Sequence, residues 1–87
     1  MSSDGRRHRD QLTVGLNSTL RLIRSGEAAE VHLACDCADH IRQTVRSEAA
    51  GNGVPVDERR TMAQLGAACG IDVGCAVYAV RKTKILR

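Results

Sequence analysis

Apolar and polar positions along this 87-residue chain change period several times, and each change marks a new element. Leu12-Thr13-Val14 alternates as a half-buried strand does, and Gly15 follows as a turn residue. From Leu16 the spacing becomes helical. At about 100° per residue, Leu16, Thr19, Leu20 and Ile23 gather on one side, and Asn17, Arg21 and Arg24 on another. Asn17 or Ser18 is the expected N-cap, and Gly26 the expected C-terminal stop. A second strand is expected over Glu30 to Cys35. A helix is expected from Ala38 to roughly Gly51, with Ile41, Val45 and Ala49 at helical spacing. Gly51-Asn52-Gly53 breaks it. Val54-Pro55-Val56 then supplies a short strand, whose proline belongs at a sheet edge because it has no N–H to donate. Thr61 can cap a helix running through Cys69 that packs Met62, Leu65 and Ala68 or Cys69. The nearly continuous apolar run from Cys75 to Lys82 reads as a central strand.

Strand and helix thus alternate three times before a closing strand. That order predicts an α/β fold, a three-layer α/β/α sandwich around a mixed four-stranded sheet. Residues 12–82 form the expected domain. Residues 1–11 have no apolar periodicity and are expected to be a flexible or weakly helical arm, with residues 83–87 a basic tail.

Composition narrows the chemistry. The chain is 43% hydrophobic and 26% charged, so it is globular, and its single aromatic ring is Tyr78. RNA-recognition motifs and OB-type folds stack bases on exposed rings, which this chain cannot supply. No apolar run is long enough to span a membrane, and the first residues lack the apolar region of a secretory signal. The expected location is cytoplasmic. Cys35, Cys37, Cys69 and Cys75 match neither a zinc ribbon nor a C-x-x-C redox pair, and His8, His32 and His40 match no ligand spacing. Small buried thiols, no metal and no cofactor are the expectation. No Ser/His/Asp or paired-carboxylate set supports catalysis either.

Charge is segregated along the chain. Residues 12–26 carry Arg21 and Arg24 with no acid. Residues 27–41 carry Glu27, Glu30, Asp36 and Asp39 with no Lys or Arg, and Arg81, Lys82, Lys84 and Arg87 crowd the end. Such segregation suggests one face for a polyanion and another turned away.

Leu65 to Val77 holds Ile71 and Val73 between Gly70 and Gly74. Phosphate-cradling glycine loops run from strand to helix, so that helix N–H groups meet the anion. This loop runs from helix to strand, where carbonyls and Asp72 repel an anion. An apolar tip of this kind suits a nucleobase face, another protein, or the protein's own core.

Two stretches together resemble a known family. Gly15-Leu16-Asn17-Ser18-Thr19-Leu20-Arg21-Leu22-Ile23-Arg24-Ser25-Gly26 is similar to G-x-N-E-x-x-K-x-I-x-x-G, and Leu65-Gly66-Ala67-Ala68-Cys69-Gly70-Ile71-Asp72-Val73 to L-G-x-A-x-G-[IV]-x-[VI]. Between them, Val31 to Asp36 matches V-x-[IV]-A-x-D, and Val54 to Val56 matches V-P-[VY]. These motifs, in order from about Leu12 to Val80, resemble the ribosomal L-seven-Ae/L-thirty-e group of kink-turn RNA-binding proteins, above all its small bacterial members. The resemblance implies the same α/β/α sandwich and a non-catalytic, ribosome-associated role. The implied partner is structured RNA, ribosomal or a messenger leader, bound by a monomer. The implied contact residues are Gly15, Leu16, Asn17, Ser18, Arg21 and Arg24 at the G·A pairs, with Ile71, Asp72 and Val73 against the bulged nucleotides. Ser18 stands where many members carry glutamate, and Arg21 where they carry lysine.

Overall fold

The computed structural model describes residues 12–71 and 74–82; the expected arm, the expected tail, Asp72 and Val73 lie outside them. Seven elements follow in the expected order: β1 (Leu12–Val14), α1 (Leu16–Ser25), β2 (Ala28–Leu33), α2 (Asp39–Gly51), β3 (Val56–Asp57), α3 (Met62–Cys69) and β4 (Val77–Arg81). The strands form one mixed sheet in the order β1-β4-β2-β3. β4 runs antiparallel to both β1 and β2, while β3 runs parallel to β2. The apolar run at the chain's end is therefore central, as its unbroken hydrophobicity predicts.

Register decides which residues share a face. Val31 pairs with Ala79 and Leu33 with Val77, so these four point to one side, and all are fully buried. α1 and α2 pack on each other and on the sheet, adding Leu20, Leu22, Ile23, Val45 and Ala49 to the core. Burying aliphatic side chains of this size stabilises by roughly 1.5–3 kcal/mol each, the main favourable contribution in a chain with one aromatic ring. His32 pairs with Tyr78 on the opposite side, where their rings stack at 4.8 Å and 21°. α3 packs against β4 there, bringing Cys69 close to Tyr78.

Several boundaries differ from expectation, and β4 starts at Val77 and ends at Arg81 rather than running from Cys75 to Lys82. α1 begins at Leu16 with Gly15 as its N-cap, not Asn17 or Ser18. The Gly15 amide donates to the Val77 carbonyl at 3.0 Å while its own carbonyl accepts from Thr19 at 3.0 Å, so this glycine ends the ladder and starts the helix at once. Its φ of 104° lies in the region glycine adopts without strain. β2 starts at Ala28 and ends at Leu33, because Ala28 pairs with Arg81 whereas the Cys35 amide turns away to the Arg60 carbonyl. β3 is displaced to Val56–Asp57. Pro55 still contributes by accepting from the Val31 amide at 3.0 Å, and the strand is an edge, as the proline predicts.

Candidate nucleic-acid interface

The topology gathers four connections at one end of the sheet. β2 and β3 are parallel and end there, β1 ends there at Gly15, and β4 starts there beside Leu33. The turn into α1, the loop after β2, the lead into α3 and the loop before β4 are therefore neighbours. Tight bonds tie them together: Gly15 N to Val77 O, Ala34 N to Ala76 O at 2.8 Å, and Cys35 N to Arg60 O at 2.8 Å.

On α1 the amphipathic division holds. Thr19, Leu20, Leu22 and Ile23 are buried, Leu16 is half-buried against the core, and Asn17, Ser18 and Arg21 are exposed. Among the described residues no side chain caps the first turn, and no acid stands in it, so its first N–H groups and positive end have no side-chain partner there. Because Gly15 is the cap, Asn17 and Ser18 keep their side chains available for a ligand.

Ion pairing separates the cations sharply. Arg24 donates through Nε and Nη2 to the two carboxylate oxygens of Glu48 on α2, both at 3.2 Å. This bond holds the Glu48 carboxyl below its usual range and raises the Arg24 guanidinium. Arg42 pairs with Asp39, Arg46 with Glu58, Arg59 with Asp57 and Arg81 with Glu27. Among the described residues, Arg21, Arg60 and Lys82 have no such partner. Arg24 therefore lies on the expected face but is already engaged. Arg60, which sequence reasoning passed over, sits at the gathered end of the sheet. The doublet Arg59-Arg60 just before a helix cap was the available signal, and only the Asp57 pairing tells the two apart.

The acidic stretch is not a separate face. Glu27 meets Arg81, Asp39 meets Arg42, and Asp36 accepts the Met62 amide at 2.8 Å. Folding thus mixes the charges that the sequence keeps apart.

The loop after α3 is held at both ends. Gly70 adopts a left-handed conformation (φ 78°), with its amide on Ala67 O and the Ile71 amide on Gly66 O. At the other end the Cys75 amide donates to Met62 O at 3.0 Å, and a Cβ on Gly74 would meet the Met62 Cβ at 3.2 Å. A side chain at Gly74 would therefore require Met62 to give by a few tenths of an ångström. Ile71 is 38% exposed, while Leu65, Cys69 and Cys75 fill the core beneath, so Ile71 does not fold inward. Burial, followed by the neighbouring Cys75, pushes the Cys69 thiol up to about 11. Cys37, Cys69 and Cys75 are buried free thiols and Cys35 is exposed. No cluster able to hold a metal occurs among the described residues. His32 is a packing residue: it stacks on Tyr78 and its Nε2 lies 2.7 Å from a Glu30 oxygen.

Residues 4–86 match the model of the Ribosomal protein L7Ae/L30e/S12e/Gadd45 family, and the chain belongs to that family. RNA-binding protein BH0128 of Halalkalibacterium halodurans is 35% identical over 71 residues, 82% of this chain and 87% of that protein. RNA-binding protein YbxF of Geobacillus stearothermophilus is 37% identical over 70 residues, 80% of this chain and 85% of that one. The solved 15.5kD RNA binding protein of Giardia lamblia superposes with a TM-score of 0.77 at 27% identity, covering 86% of this chain and 63% of its own. A Bacillus halodurans structure of unknown function shares the fold, with a TM-score of 0.81 at 22% identity over 91% of this chain and 77% of that chain. The relatives are named for RNA binding and not for a reaction, in agreement with a non-catalytic protein.

Proposed function

We propose that this chain binds RNA at kink-turns, where a bulge and tandem sheared G·A pairs bend a duplex, and that it acts as a cytoplasmic monomer on ribosomal RNA or a messenger leader. One observation carries the reading. The start of α1, uncapped among the described residues, presents Asn17 and, one turn on, Arg21, unpaired among the same residues, at the same end of the sheet as exposed Ile71.

The chemistry suits a bent RNA. An A-form major groove is too narrow for side chains, but a kinked segment with non-Watson–Crick pairs opens it. The guanidinium of Arg21 can donate to guanine O6 and N7, and the amide of Asn17 can donate and accept. Ser18 adds a hydroxyl, while Gly15 and Leu16 set the helix entry. Ile71, with Asp72 and Val73, covers an unstacked nucleotide that has lost its neighbour's face. Arg24 contributes less than its position implies, since Glu48 already neutralises it.

The test is a gel shift with a kink-turn RNA beside a straight duplex of equal length. Arg21→Ala is expected to weaken binding of the kinked form by about 1–3 kcal/mol with the fold intact. Equal binding of straight and kinked RNA would overturn the reading. So would dispensable Asn17 and Arg21 beside an essential Ile71, the pattern of a protein–protein module.

A further inference from the structure

A hollow of about 310 Å³ runs along the flank of α1, and Ile71 is not among the residues that line it. Ser18, Arg21, Leu22 and Ser25 supply one wall, spaced i, i+3, i+4 and i+7 on the helix, while Thr13, Glu27 and Arg81 close the rest. Its volume lies in the range of sites that hold a small ligand or one unit of a polymer. The chemistry inside is specific. Arg21 and Arg81 both line it, with the hydroxyl residues Ser18, Ser25 and Thr13 and the buried Leu22. Ser25 Oγ donates to the Leu22 carbonyl at 2.9 Å, which leaves its lone pairs to accept.

One acid opposes an anion here. Glu27 Oε1 accepts from Arg81 Nη1 at 3.2 Å, with both side chains about half exposed. That bond uses one of the five guanidinium N–H groups and leaves the others to a ligand. The Lys82 amide donates to the Glu27 carbonyl at 2.8 Å, pinning the basic end of β4 to the turn after α1. Arg81, which the contacts at the helix start do not use, thus lines the hollow beside Glu27.

Resting on the kink-turn reading, we propose that this hollow is a second RNA subsite, taking a sugar–phosphate unit of the strand that leaves the bend. The strand enters beside Ser18, next to Asn17, and its phosphate is held between Arg21 and Arg81. The seryl and threonyl oxygens face the ribose hydroxyls. Guanidinium forks match phosphate oxygens, and adjacent hydroxyls match ribose. Glu27 holds Arg81 in place while the subsite is empty and competes with the incoming phosphate.

The test measures kink-turn RNA binding across a salt series, with phosphate-ethylation interference, for the full chain and three variants. Arg81→Gln is expected to lower affinity roughly three- to tenfold, reduce the salt slope by about one, and abolish interference at one or two phosphates flanking the kink. Glu27→Gln is expected to tighten binding. Both residues are half exposed, and an unchanged melting temperature separates lost contact from lost fold. If Arg81→Gln leaves affinity, slope and interference unchanged while Arg21→Gln weakens binding, the subsite falls and the kink-turn reading stands. If Glu27→Gln weakens binding, the carboxylate belongs to recognition and the subsite also falls. If the wild-type chain binds no kinked RNA, both fall together.

Discussion

The N-terminal ends of α1 and α3 solve the same problem in opposite ways. Each helix starts with N–H groups that no intrahelical carbonyl can satisfy. At α3 the protein satisfies them itself. Thr61 Oγ1 accepts from the Gln64 amide at 3.2 Å, Gln64 Oε1 accepts from the Thr61 amide at 2.9 Å, and Asp36 takes the Met62 amide. At α1 no side chain among the described residues does so, and the residues that could have capped it, Asn17 and Ser18, are exposed. Both helices nonetheless finish alike, on left-handed Gly26 and Gly70. The sealed end secures the fold, and the open end is the one to which the proposed RNA contact is assigned.

The strongest way to break this contrast is Gly15→Ala. A Cβ there meets nothing within 4 Å, so the cost is backbone strain at φ 104°, about 1–3 kcal/mol of stability in a denaturant melt. RNA affinity is expected to fall with it, because the same glycine sets where α1 begins. A melt as stable as wild type would show that the open end does not depend on glycine. Next in size is Thr61→Ala, which removes the capping box and is expected to cost about 1 kcal/mol of stability while leaving RNA affinity unchanged. A loss of RNA binding without a loss of stability would reverse the roles assigned to the two ends. The smallest effect tests the engaged cation. Arg24→Gln is expected to change RNA affinity less than Arg21→Ala does. Glu48→Gln, which frees Arg24, is expected to tighten binding slightly in low salt. Equal losses at Arg21 and Arg24 would show that the Glu48 bond opens at no appreciable cost.

Much of the architecture was legible because it follows from local periodicity. The buried stripe of Thr19, Leu20 and Ile23, the spacing of Ile41, Val45 and Ala49, the Thr61 cap and the unbroken apolar β4 all lie where their sequence patterns put them. What failed was local in a different sense. Asn17 and Ser18 have good capping chemistry, yet Gly15 is bonded to Val77, a residue far along the chain, and that bond sets the helix start. Likewise β2 begins two residues earlier than its own composition suggests, because Arg81 pairs with Ala28.

Charge shows the same division. Read along the chain, residues 12–26 carry Arg21 and Arg24 with no acid, and residues 27–41 carry four acids with no Lys or Arg. In the fold, Glu48 from α2 reaches Arg24, and Glu27 reaches across to Arg81, so neither stretch keeps all its charges uncompensated. Arg21 and Arg60 acquire significance only by what fails to reach them among the described residues.

The sequence by itself therefore determined the order of elements, the helix faces, the glycine stops and the family motifs, since each depends on residues a few positions apart. Only the tertiary structure decided which cations are uncompensated, which helix end stays open and where Ile71 sits. The bonds Arg24 to Glu48, Glu27 to Arg81 and Gly15 to Val77 join distant parts of the chain, and a one-dimensional pattern carries no record of which distant carbonyl or carboxylate will arrive.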